Sequence, residues 1–110
     1  MDAAGLLSSL LHDRSIVREL VELFDESGPQ CAAQVEEALR RGDAGDLERA
    51  AHTLKGMLGS LRAGPATELA GELEAQGHAG QLAGTEELWA RLRPELARVR
   101  AALQALAEAG

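Results

Sequence analysis

The sequence Ala50-Ala51-His52-Thr53-Leu54-Lys55-Gly56 lies in a proline-free segment from Asp46 to Ala63. Apolar residues recur in this segment at the spacing of one helix face, namely Leu47, Ala51, Leu54, Leu58 and Leu61. At about 100° per residue, a second set falls together about 140° from the centre of that stripe, namely His52, Gly56, Gly59 and Ala63. The segment is therefore predicted to be a helix that packs a core with one face and presents a histidine among small residues on the other.

The side chains on this second face indicate phosphoryl chemistry. Neutral imidazole is a nucleophile near neutral pH, and Lys55 lies within reach of His52, where its ammonium can neutralise charge on a phosphoryl group. Gly56 and Gly59 each cost a helix interior about 1 kcal/mol relative to alanine, which favours a close approach of another molecule beside His52. Lys55 is also the only lysine of the chain, against ten arginines. The other interpretation is a solvated helix surface on which a histidine happens to lie.

These residues resemble the signature of the histidine-containing phosphotransfer (HPt) domains. That signature has an alanine-rich approach, then His-x-Leu-Lys-Gly, small residues, a glycine, and a leucine followed by Gly-Ala. This chain has Ala50-Ala51-His52-Thr53-Leu54-Lys55-Gly56-Met57-Leu58-Gly59-Ser60-Leu61-Arg62-Ala63. The resemblance implies a four-helix bundle in which His52 accepts a phosphoryl group and passes it on.

The resemblance in residue identity is confined to the motif at residues 50–63. Outside residues 50–63 it extends from about Asp2 to Leu106 only in helix lengths and apolar spacing. Met57 and Leu58 stand where small residues are usual in the family, and Arg62 stands where glycine is usual. These departures leave the phosphoacceptor assignment unchanged and bear on how a partner docks.

The resemblance also implies roles and partners. It makes His52 the phosphoacceptor, Lys55 the group that stabilises the phosphoryl, and a docking surface of Glu48, Gly56, Gly59 and Ala63. The implied partners are a response-regulator receiver domain, which would supply magnesium and acidic residues, and a histidine kinase or hybrid kinase as phosphate source. No cofactor or metal is expected in the domain itself. No Gly-x-x-x-x-Gly-Lys loop is present, so we expect a phosphocarrier and not a nucleotide-using enzyme.

Composition narrows the class of protein further. A chain of 110 residues with 45% hydrophobic residues is predicted to form a single domain, 1–110. Its formal net charge of −7 argues against nucleic acid or an anionic membrane as partner. Cys31 is the only cysteine, no apolar run approaches the ~20 residues of a membrane span, and the first residues lack the basic start of a secretory signal. A cytoplasmic monomer is the expectation.

The helical pattern continues on both sides of the central segment. The spacing predicts an all-α, antiparallel up-down four-helix bundle with a short additional N-terminal helix. The predicted bounds are 2–11 for the short helix, and about 13–41, 44–63, 65–77 and 84–108 for the bundle.

Individual residues refine this prediction. The first bundle helix is expected to continue through Pro29 with a kink, although two helices meeting there is the alternative. Gly77 is a candidate C-cap, and Pro94 is expected to bend the last helix. Trp89 lies off the apolar stripe and is expected to pack on the preceding helix, and Cys31 is expected to be a buried hydrophobe.

Two further classes of protein are alternatives to the phosphocarrier. The first is an interaction module with the shape of the family that docks a partner without phosphate. The second is the dimerisation helix of a sensor kinase, where the histidine is usually followed by an acidic residue and soon by proline; Thr53 follows His52 here. A metal site that joins His12, His52 and His78 has no support from their spacing.

Overall fold

The computed structural model describes residues 14–61 and 63–108. These residues form four helices and no strand. They are α1 (Arg14–Arg41), α2 (Ala44–Ser60), α3 (Gly64–Ala79) and α4 (Thr85–Glu108). The expected helix 2–11, the residues His12 and Asp13, and the departure at Arg62 lie outside the described residues.

Helix α1 continues through Pro29 without a break, so the alternative of two helices meeting there is wrong. Proline has no backbone N–H, so the helix lacks one hydrogen bond at this turn. The ring of Phe24 lies 3.6 Å from where a Cβ on Gly28 would be, and Phe24 is buried. The buried ring of Phe24 therefore lies against the turn of α1 that precedes the proline.

Gly42 and Asp43 separate α1 from α2. Gly42 has a φ of 68°, in the left-handed region that glycine adopts without strain. The carboxylate of Asp43 accepts a hydrogen bond of 3.0 Å from the backbone N–H of Asp46 and so caps α2. That hydrogen bond lowers the pKa of the Asp43 carboxyl.

Two helix boundaries differ from the prediction. Helix α2 ends at Ser60 and not at Ala63, because the chain turns here and the Ala63 N–H bonds to the carbonyl of Leu58 at 3.0 Å. Helix α3 ends at Ala79. Gly80, with a φ of 70°, is its C-cap in place of Gly77. Gly77 is instead a buried residue inside α3.

Helix α2 lies between α1 and α3, and α4 packs on both α1 and α3. The helices enclose one core, whose fully buried side chains include Val35, Leu47, Leu54, Leu58, Leu73, Leu92, Val99 and Leu103. Cys31 is buried in the same core, and burial raises the pKa of its thiol. The contacts between α2 and α3 run in opposite sequence order, since Glu48 contacts His78 and the later residue His52 contacts the earlier residue Glu74.

Trp89, on α4, contacts α1. Its indole N–H donates a hydrogen bond of 3.1 Å to Glu36 on α1, whereas the sequence predicted packing on the preceding helix. Within α1, Arg40 pairs with Glu37. None of the four described helices is long and apolar enough to cross a membrane.

Candidate functional site

His52 projects from the outer face of a firmly anchored helix. Its neighbours Ala51 and Leu54 are completely buried, whereas its own side chain is 69% exposed. The backbone under the imidazole is thus held by the core while the ring itself meets solvent.

A carboxylate on the neighbouring helix orients this ring. Oε2 of Glu74, on α3, lies 2.6 Å from Nδ1 of His52. An ionised carboxylate only accepts hydrogen bonds, so Nδ1 carries the proton that it donates to Glu74. The neutral ring then has its lone pair on Nε2, which is the nitrogen with nucleophilic character.

The same carboxylate holds Lys55. Nζ of Lys55 lies 2.5 Å from Oε1 of Glu74, so the two oxygens of one carboxylate contact the two basic side chains. The Glu74 side chain is only 19% exposed. The hydrogen bond from Lys55, and after it the one from His52, lower the pKa of Glu74 against the opposing effect of burial. Glu74 is therefore ionised at neutral pH, and the ammonium of Lys55 is held next to the ring.

The surface beside His52 is small and open. A Cβ added to Gly56 would have no atom within 4 Å, and one on Gly59 would meet only Thr67 at 3.9 Å. Both glycines are exposed. The missing side chains therefore leave room outside the helix and are not required by packing against another helix.

An apolar groove of about 270 Å³ between α1 and α2 adjoins this open surface. It is lined by Leu20, Leu23, Phe24, Ser27, Thr53, Gly56, Met57, Ser60 and Leu61. Leu23 lies at the open edge of the groove and is 52% exposed. Met57 lines the groove, whereas Leu58 is fully buried in the core, so of these two departures only Met57 can touch a docked molecule.

The remaining residues of the expected docking surface lie apart. Glu48 lies one turn before His52, and its Oε2 is 2.9 Å from Nδ1 of His78, within hydrogen-bond distance. Ala63 is corrected here: it is completely buried and precedes α3, so it offers no surface to a partner. The prediction for Ala63 extended the helical phase beyond the last residue of α2. Across the described ranges, no group of three or more His, Cys, Asp or Glu side chains could hold a metal ion.

Comparison with known families accounts for most of the chain. The family model of the Hpt domain matches residues 19–109. The chain belongs to the Hpt domain family. Hpt domains are phosphocarrier modules of two-component signalling that interact with receiver domains and histidine kinases. Comparison with curated proteins and with solved structures finds no match.

Glu74 is the residue of this Hpt domain that the sequence analysis missed. It lies 22 residues from His52, and from its own helix alone it looks like one more solvated glutamate. One signal was present, because Glu74 follows Leu73, a core position of α3, and therefore stands at the edge of the buried face. That edge becomes the α2–α3 contact only once the two helices pack.

Proposed function

We propose that this Hpt domain carries a phosphoryl group on His52 and exchanges it with the aspartate of a response-regulator receiver domain, with a histidine kinase or hybrid kinase as the original source. The observation that carries the proposal is the double contact of Glu74, which orients the His52 ring and places Lys55 next to it. Residues 1–110 would act as one cytoplasmic, monomeric, antiparallel up-down bundle, an arrangement supported by the reversed order of the α2–α3 contacts.

The transfer needs few groups from this chain. The Nε2 lone pair of His52 forms the N–P bond as the P–O bond to the receiver aspartate breaks, and the aspartate leaves as a carboxylate. Nδ1 keeps its proton, so the phosphorylated ring is cationic and its charge faces the Glu74 carboxylate at 2.6 Å. Lys55 offers its ammonium to the phosphoryl oxygens. In the reverse direction the same bonds break and form in the opposite order.

The receiver would approach across the open side of α2. Its aspartate must come within bonding distance of Nε2, so its surface must cover the strip that contains Gly56 and Gly59. The apolar groove with Leu23 and Met57 begins at this strip and extends the contact area. Glu48 would stand at the opposite margin of the interface, one turn of α2 away from His52.

Label transfer from a phosphorylated receiver tests the proposal directly. Incubation with receivers that carry ³²P on their aspartate should label this domain, with a bond that is labile in acid and stable in base, as for a phosphoramidate. A bundle that binds the receiver but acquires no label from any receiver or kinase would instead be an interaction module that works without phosphate.

Replacing Lys55 with alanine is expected to slow transfer by one to two orders of magnitude, about 1.4–2.7 kcal/mol on the barrier, without eliminating it. The ammonium stabilises charge on the phosphoryl group, but the nucleophile remains. Rapid-quench measurement of transfer gives the rate, and Lys55→Arg, which keeps a cation at this position, is the control. An unchanged rate for Lys55→Ala would mean that Lys55 is only a partner of Glu74.

The Glu74 contacts should also appear in the dependence of stability on pH. Because the folded-state pKa of Glu74 lies below its ordinary value of 4.5, its contribution is complete above pH 4.5 and is lost as the pH falls through the folded pKa. We expect Glu74→Gln to lower the free energy of unfolding at pH 7 by about 0.5–1 kcal/mol, the size of a solvent-screened ion pair. In urea unfolding, the difference from the unmodified protein should shrink below pH 4.5. A difference that stays constant with pH would contradict this account.

A further inference from the structure

Gly77 lies where the backbones of α2 and α3 touch. A Cβ built on Gly77 would be 2.7 Å from the backbone nitrogen of Glu48, 2.9 Å from the carbonyl oxygen of Ala44 and 3.0 Å from the Glu48 Cα. All three atoms belong to the backbone of α2, so no side chain can rotate away to make room. Glycine destabilises a helix interior relative to alanine, and here the close approach of a second helix explains its presence.

We propose that Gly77 is a positioning residue, which sets the separation of α2 and α3 at which the Glu74 carboxylate reaches His52. This inference rests on the proposed function of His52. Glu74 lies three residues before Gly77, about 4.5 Å along α3. On α2, His52 lies one turn after Glu48, the residue that Gly77 touches. The backbone contact of Gly77 with Glu48 and the side-chain contact of Glu74 with His52 are therefore one helical turn apart along α2 and α3.

The consequence of adding one methyl group follows from these distances. Ordinary contact of a Cβ begins at 3.4 Å, so an alanine at this position must push α3 away from α2 until 2.7 Å becomes about 3.4 Å. The hydrogen bond between Glu74 and His52 is 2.6 Å long and joins a glutamate to an imidazole, and each of these side chains has fewer rotatable bonds than a lysine. Lys55 reaches the same carboxylate with a flexible four-carbon chain and can follow the displacement. The displacement therefore weakens the contact with His52 and spares the contact with Lys55.

The test compares Gly77→Ala with Gly71→Ala, a matched change in the same helix. A Cβ on Gly71 would meet only the Lys55 Cδ at 3.6 Å, which is an ordinary contact. Two quantities are measured on the full chain: the rate of label transfer from a phosphorylated receiver, and the tautomer of His52 from the ¹⁵N shifts of its imidazole. We expect Gly77→Ala to slow transfer about tenfold or more and to reduce the population protonated at Nδ1. Gly71→Ala should leave the rate within about twofold and the tautomer unchanged.

A second variant keeps the inference testable should Gly77→Ala not fold. Glu74→Asp withdraws the carboxylate by one methylene and leaves the separation of the helices as it is. It should reproduce the tautomer change of Gly77→Ala. Retention of the Nδ1–H tautomer in either variant would overturn the inference, because the contact would then tolerate a longer distance.

The outcome separates this inference from the proposed function. If the unmodified protein is labelled at His52 and Gly77→Ala transfers as fast as Gly71→Ala, only the role of Gly77 fails. If the unmodified protein acquires no label, the proposed function fails, whereas the tautomer measurement still reports whether Gly77 sets the contact between Glu74 and His52.

Discussion

Replacing His52 with glutamine is expected to abolish phosphoryl acceptance and to leave helicity and melting temperature nearly unchanged. Glutamine has no nucleophilic ring nitrogen, so no N–P bond can form. The side chain at this position is 69% exposed, so the fold loses only a surface contact with Glu74. The expected change in the free energy of unfolding is within about 0.5 kcal/mol. Label transfer from a phosphorylated receiver measures acceptance, and circular dichroism measures helicity and melting.

His78→Gln is the matched control for this experiment. His78 also bonds through Nδ1 to a glutamate across the same two helices, since Glu48 lies 2.9 Å away. Its side chain is exposed too, but the only lysine of the chain lies beside His52. We expect normal labelling of the His78→Gln variant. Labelling that persists in His52→Gln, or that is lost in His78→Gln, would show that the phosphoacceptor is not His52.

Replacing Gly56 with glutamine is expected to have the second largest effect, a loss of transfer from a receiver of about a hundredfold or more. Gly56 lies one turn beyond His52, and a long side chain there would stand where the partner must come close. A displacement of about 1 Å at the reacting centre is enough for a loss of this size. The same change should keep or raise the melting temperature, because no atom lies within 4 Å of the position of a Cβ.

Gly56→Ala separates helix stability from the approach of the partner. Alanine should raise the free energy of unfolding by about 0.5–1 kcal/mol because it favours the helix and meets open space. It should also transfer much faster than the glutamine variant, since a methyl group protrudes little. Melting curves and rapid-quench transfer rates of the unmodified protein, Gly56→Ala and Gly56→Gln measure the two effects separately. Normal transfer by Gly56→Gln together with a lowered melting temperature would show that the partner approaches from another side.

Most of the helical pattern could be predicted because its determinants are local. The apolar spacing and the capping groups lie within a few residues of each boundary, and Gly42 and Asp43 separate α1 from α2 between the predicted bounds 41 and 44. The prediction for Ala63 failed because helical phase has meaning only as far as the helix continues. The prediction for Gly77 failed because a glycine near a helix end can serve as a cap or as a contact, and the sequence around it does not distinguish the two.

The periodicity of one helix is enough to place His52, Lys55, Gly56 and Gly59 on one side of a core-packed helix, since all four lie within eight positions. The contact of Glu74 with both His52 and Lys55 depends on how two helices pack, because it joins residues of α3 and α2. The separation of those helices depends on the backbone approach at Gly77, and their relative rotation depends on the whole core. Neither quantity is a property of any single segment of the chain, and so neither could be read from the pattern of one helix.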